Sequence, residues 1–126
     1  MPLVKKSSTT FSSSNNKMRV TCAVSKAYMR SGMPQFWYAF HPSQQTFLEA
    51  GEQSYAAFGC GASEKVVLIP YQEFEPCLAK MNQTTKGDRN YWHVFLHEIG
   101  TQFYMVLQQG EKVDVTKYVV SDVGPK

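Results

Sequence analysis

Cysteine is scarce and scattered: Cys22, Cys60 and Cys77 are the only three, and none stands in a CxxC or CxxH pair. An isolated, odd set neither staples a small secreted fold nor forms a zinc knuckle. With no apolar signal-peptide core at Met1-Pro2-Leu3-Val4-Lys5-Lys6, it points to reduced thiols in a cytoplasmic protein. Long apolar runs are missing as well. Nothing approaches the roughly 20 residues that cross a bilayer as a helix, so no membrane partner is expected. There is no GxGxxG turn and no Walker loop, the usual cradles for cofactor phosphates, and no cofactor is expected. Acidic residues are nearly absent from one end. Between Met1 and Ala50 stand Lys5, Lys6, Lys17, Arg19, Lys26 and Arg30 against the single acid Glu49.

What is present suits one compact domain. The chain has 126 residues, with 43% hydrophobic and 18% charged, enough apolar material for a core and too little length for two ordinary domains. The formal net charge is only +3, so the asymmetry matters more than the total. A basic first half suits an anionic partner such as nucleic acid, because neutralising phosphates releases counterions. A solvated basic tail on a near-neutral domain accounts for the same charges.

Ser7 to Asn16 is a polar Ser/Thr/Asn stretch with little to bury. Residues 1–17 are therefore expected to form a disordered basic tail, residues 18–120 a single α+β domain, and residues 121–126 a C-terminal tail. An organelle transit peptide is a rival reading of the acid-free leader, although arginine is scarce in it. Within the domain, strands are expected at Arg19 to Val24 and Phe36 to His41, the second preceded by a Gly32-Met33-Pro34 turn. His41-Pro42-Ser43 then opens a helix that Gly51 closes. Strands at Ser54 to Cys60 and Lys65 to Ile69 follow. A second helix is expected from Tyr71 to Met81, with Pro76 kinking or restarting it. Asn82 to Asn90 reads as a loop. Tyr91 to Glu98, Gln102 to Gln108 and Lys112 to Val120 read as a closing antiparallel meander. The class is α+β: a mixed or antiparallel sheet of about seven short strands, ending in that three-stranded meander, with two helices.

No catalytic constellation emerges. His93 and His97 are four apart; on a helix that would suit zinc, but on a strand they lie about 13 Å apart, too far to share an ion. HVFLHE also lacks the HExxH order, and no metal is expected. Gly59-Cys60-Gly61 could expose a thiol, yet it reads equally as a tight strand connection. Glu73 and Glu75 suit a helix start. Asp114-Val115-Thr116-Lys117 is a poor fragment of a PD-(D/E)xK nuclease core.

Aromatic residues are more informative. Alternation puts Trp92, Val94 and Leu96 on one face of their strand and Tyr91, His93, Phe95 and His97 on the other, with Tyr104 beside them. Such a face stacks a base or another planar ring, unless a helix covers it. Phe36-Trp37-Tyr38-Ala39-Phe40-His41 is the densest aromatic segment. A central strand packed on both faces would explain it without a ligand. Otherwise Trp37 or Tyr38 lines a pocket with Arg19, Arg30 or His41 supplying polar contacts.

The segments FWYAFHPSQQTFLEAGEQSYAAFGCG, KVVLIPYQEF, RNYWHVFLHE and KVDVTKYVV resemble a prokaryotic domain of uncharacterised function associated with restriction and defence proteins. The likeness covers about Phe36 to Val120, carries no catalytic residues across, and implies an accessory module linked to DNA. A looser similarity, in architecture and aromatics, is to the EVE and PUA-like readers of modified bases. The leading expectation is thus a non-catalytic nucleic-acid-binding module, with DNA rather than RNA as partner, and the target-recognition part of a restriction-type protein is the role the resemblance suggests. Its expected contacts are Arg19, Lys26, Arg30, Trp37, Tyr38, His41, Tyr91 and His93. The alternatives are a protein-interaction domain, serving a protein partner or the other domains of a parent protein, and a small hydrolase or nuclease using Cys60 or a histidine.

Overall fold

The computed structural model describes residues 3–5, 10–61 and 65–121. Among these the chain runs β1 (Leu3–Lys5), β2 (Thr10–Ser13), β3 (Met18–Ser25), β4 (Tyr28–Arg30), β5 (Met33–Phe40), α1 (Pro42–Glu49), β6 (Gln53–Cys60), β7 (Lys65–Pro70), α2 (Tyr71–Leu78), β8 (Gln83–Lys86), β9 (Arg89–Ile99), β10 (Gln102–Val106), β11 (Lys112–Asp114) and β12 (Val119–Ser121). The class is α+β, with the strands in two sheets rather than one. The first is mixed, ordered β1-β2-β3-β6-β7-β12, with β3 and β6 parallel and its other described pairs antiparallel. The second is antiparallel, ordered β11-β10-β9-β5-β4, with β8 also paired to β9.

One apolar cluster fills the space between the sheets. Phe36, Tyr38 and Phe40 of β5 and Val94 and Leu96 of β9 meet Ala56 and Phe58 of β6 and Val67 and Ile69 of β7. Both helices add to this side: Leu48 from α1, and Phe74 and Leu78 from α2. Phe74 packs edge-on to Phe40 with centroids 4.9 Å apart, and also contacts Phe58 at 5.5 Å. The helices contact β3, β6 and β7. Among the described residues neither α1 nor α2 packs on the outer face of the second sheet, where only the short helical turn Gln108–Gly110 approaches His93 and Phe95.

Several expectations are corrected. Residues 10–17 are not a tail. Thr10–Ser13 pairs with β3, and Ser12 and Ser13 are fully buried. Composition argues for disorder only when apolar burial is the sole source of order. Here side-chain hydrogen bonds supply it: Ser12 Oγ bonds Asn16 Oδ1 at 3.0 Å, Ser13 Oγ bonds Asn15 Oδ1 at 2.6 Å, and Met18 N–H donates to Ser13 Oγ at 3.1 Å. Asn16 takes the left-handed conformation that the turn requires (φ 62°). The remainder of the expected leader at residues 1–2 and 6–9, and of the C-terminal tail at 122–126, lies outside the described residues.

Asn82 to Asn90 is not a plain loop, since Gln83–Lys86 forms a hairpin with β9 around Gly87-Asp88, where Gly87 has φ 60°. The strand expected at Lys112 to Val120 divides. β11 completes the meander, Thr116–Tyr118 makes a short helical turn, and β12 joins the other sheet. Asp114 Oδ1 accepts the Thr116 N–H at 2.9 Å and Thr116 Oγ1 accepts the Phe103 N–H at 3.0 Å, which bends the chain across. α2 ends at Leu78, and Pro76 lies inside it without dividing it. Met81 N–H then bonds Leu78 O at 3.1 Å, so the next turn still delivers Met81 to the core.

Candidate nucleic-acid interface

Residues opposite one another in an antiparallel ladder share a face, so register alone assembles the open side of the second sheet. One row reads Asp114, Tyr104, His97, Gln35, Tyr28 across β11, β10, β9, β5 and β4. The next reads Lys112, Val106, Phe95, Trp37. Below these lie His93 opposite Ala39, and Tyr91 opposite Thr84. Arg30, opposite Met33, closes the upper corner. The inward-facing alternates, Phe36, Tyr38, Val94, Leu96, Phe103 and Met105, are buried. The outward rings are half-buried or more open; Trp37 keeps 37% of its surface and Tyr28 50%.

The rings form a continuous ladder. His93 and Phe95 stack at 6.3 Å with planes 19° apart, Trp37 lies 5.8 Å from His93, and Tyr91 lies 5.1 Å from His93 and 5.7 Å from His41. Their orientation is fixed by hydrogen bonds. Trp37 Nε1–H donates to His93 Nδ1 at 3.1 Å, and an indole N–H is a donor only. His93 Nδ1 must therefore be an unprotonated acceptor, which puts the imidazole proton on Nε2, 2.7 Å from Thr84 Oγ1. The His93 imidazole is thus held between Trp37 and Thr84, and the indole plane is held in place.

Cations border this ladder. Arg30 on β4 and Lys112 on β11 are exposed, and neither makes an ion pair among the described residues. Both act on His97 between them: burial, then Lys112 and Arg30, hold its imidazole below the ordinary histidine range. Lys26 lies with Nζ 5.4 Å from the Tyr28 ring centroid. Asp114 is the one acid in these rows, and its carboxylate takes the Thr116 N–H. A cavity of about 420 Å³ opens at the β4 end, walled by Tyr28, Trp37 and Phe95, with Gln35 and Arg30 among its lining.

Of the eight residues expected from sequence, Trp37, His41, Tyr91 and His93 come together in the ladder, and Lys26 and Arg30 lie at its β4 border. Two do not belong. Tyr38 is 2% exposed and faces the core, where its hydroxyl donates to Gly59 O at 2.9 Å and meets Cys60 Sγ at 3.5 Å. Arg19 lies on the other sheet. Its Nη1 donates to Phe47 O at 3.2 Å near the end of α1, and its guanidinium sits 4.7 Å from the Phe47 ring centroid. Tyr28, Gln35, Thr84 and Lys112 are the members that sequence reasoning missed. The overlooked signal was Ser31-Gly32, both at positive φ (54° and 78°), the two-residue hairpin loop that sets Tyr28 opposite Gln35.

The chemical alternatives have less to work with. Cys60 closes β6 with its thiol buried, and burial leads the effects that push its proton affinity up, the wrong direction for a nucleophile. Asp114-Val115-Thr116 is the turn that bends the chain between sheets. Among the described residues no group of three His, Cys, Asp or Glu side chains could hold a metal ion, and no helix is long and apolar enough to cross a membrane. No family model, curated protein or solved structure matches the chain.

Proposed function

We propose that the chain is a non-catalytic nucleic-acid-binding module that receives a single strand on the open face of its second sheet. The observation that carries this reading is the Trp37–His93–Phe95 ladder, bordered on the same face by the cations Arg30 and Lys112, which have no ion pair among the described residues. Stacking platforms with a surrounding positive field are how proteins hold single strands with little demand on sequence. A target-recognition role in a restriction-type protein, with DNA as the partner, would use this same face.

Binding of a fluorescently tagged dT12 by the full chain, titrated across salt, tests the reading. Affinity should fall steeply with salt, since each phosphate contact adds about 0.7 to the logarithmic slope for a single strand. Arg30→Glu should weaken binding and flatten that slope. No affinity down to about 0.1 mM protein at low salt, where even non-specific binders register, removes the nucleic-acid reading.

One observation favours a protein-interaction domain instead. Val24, Gly59, Val66 and Val120 form a row across the outer face of the first sheet, with Val24 79% and Val120 49% exposed. Binding through that row would be insensitive to salt and lost in Val24→Glu.

A further inference from the structure

The cavity at the β4 end has the dimensions and chemistry of a site for one base, an inference that rests on the single-strand reading above. Tyr28 is opposite Gln35, and Trp37 follows two residues later on the same strand, so Tyr28 and Trp37 are diagonal neighbours across the β4–β5 ladder. Diagonal positions lie about 7–8 Å apart. A flat ring between two others at carbon contact distance needs ~7 Å, a span that backbone positions so spaced allow. Phe95, opposite Trp37, forms a further wall.

The backbone explains why the space is open. β4 starts at Tyr28, so beyond Gln35 no described strand is laddered to the outer edge of β5; the Trp37 N–H is instead satisfied at 3.1 Å by the side-chain Oγ of Ser25, at the end of β3. Apolar exposure concentrates here as well: Tyr28, Met29 and Trp37 all line the cavity and are all exposed. Its polar groups are few and unengaged. Among the described residues the Gln35 side-chain amide has no protein partner, and the Arg30 guanidinium has no ion pair. A neutral amide offers a donor and an acceptor to a base edge, and a guanidinium offers a fork to phosphate.

We propose that this cavity takes one unstacked base of the bound strand, sandwiched between Tyr28 and Trp37, with Gln35 hydrogen-bonding its polar edge and Arg30 on the adjoining phosphate. The slot then confers the base preference that the rest of the ladder, by stacking alone, does not.

Affinities of dT12, dA12 and dC12 for the full chain at low salt test this, compared among wild type, Tyr28→Ala, Tyr28→Phe, Gln35→Ala and Lys112→Gln. An rU12 arm separates RNA from DNA as the source of the same chemistry. Wild type should distinguish the three DNA strands by several-fold. Tyr28→Ala should weaken its best strand about tenfold, as loss of one base–aromatic stack does, and Tyr28→Phe should not. Gln35→Ala, which leaves both rings in place, should erase the preference while keeping the average affinity. Lys112→Gln should weaken all three strands alike. If wild type binds but Tyr28→Ala and Gln35→Ala match it on every strand, the slot is wrong and single-strand binding stands. If wild type binds none of the four, the underlying reading fails and the slot with it.

Discussion

Trp37 donates its indole N–H to His93 Nδ1 across the β5–β9 ladder, at 3.1 Å, and thereby fixes the imidazole on an open sheet face. Neither residue is part of the buried cluster, so their pairing answers to the surface rather than to the core. The Trp37→Ala variant is consequently interpretable. The ring is half-buried against Tyr91 and His93, so its loss should cost about 1–2 kcal/mol of stability in urea, short of the ~3–5 kcal/mol of a core tryptophan. It should nevertheless lose roughly 5- to 100-fold in affinity for a single strand, the range for one lost stack. Trp37→Phe, which removes the donor to His93 and keeps part of the ring, should fall between. A loss of several kcal/mol of stability in Trp37→Ala would mean the ring is structural.

His97 reports on the charge of the face. Burial, Lys112 and Arg30 hold its proton affinity below the ordinary value near 6.5. As pH falls below that value the unfolded chain takes up the proton first, so stability declines. The decline ends once folded His97 is itself protonated. His97→Gln should remove this part of the pH dependence. By NMR, the His97 midpoint should rise in Lys112→Gln and again when a strand binds, since phosphate offsets the two cations. A midpoint indifferent to Lys112 would contradict the placement.

The buried serines of β2 set a third expectation. Deleting residues 1–17 should destabilise the protein by about 2 kcal/mol or more, since several hydrogen bonds worth roughly 1 kcal/mol each are lost along β3. An unchanged urea midpoint would show that β2 is dispensable.

Two substitutions should separate stability from binding. Tyr38→Phe leaves Gly59 O without its hydroxyl donor, and Arg19→Gln removes the guanidinium from Phe47. Each should cost about 1–2 kcal/mol of stability and leave strand affinity at the wild-type value. Weakened binding in a folded Tyr38→Phe or Arg19→Gln would return that residue to the site.

Much of this was legible in the chain because period-two alternation decides which side chains share a face. Tyr91, His93, Phe95 and His97 separate from Val94 and Leu96 on that basis alone. Alternation cannot say which of two aromatic faces is covered, so Tyr38 and Trp37 read alike until Phe58 is seen packing on Tyr38, with centroids 4.9 Å apart. Nor does it give the partner of a strand. Lys112 and Tyr28 join the face only through register with Val106 and Gln35, and β2 was hidden because its order comes from serine and asparagine hydrogen bonds.

The most direct test of the open face is to follow backbone amide signals of the folded protein by NMR as dT12 is added at low salt. The account predicts that the largest shifts map to β4, β5, β9 and β10, centred on Tyr28, Trp37, His93 and Phe95, while Val24, Val66 and Val120 on the far sheet stay in place. Shifts concentrated on that far row, or none up to about 0.1 mM strand, would contradict it.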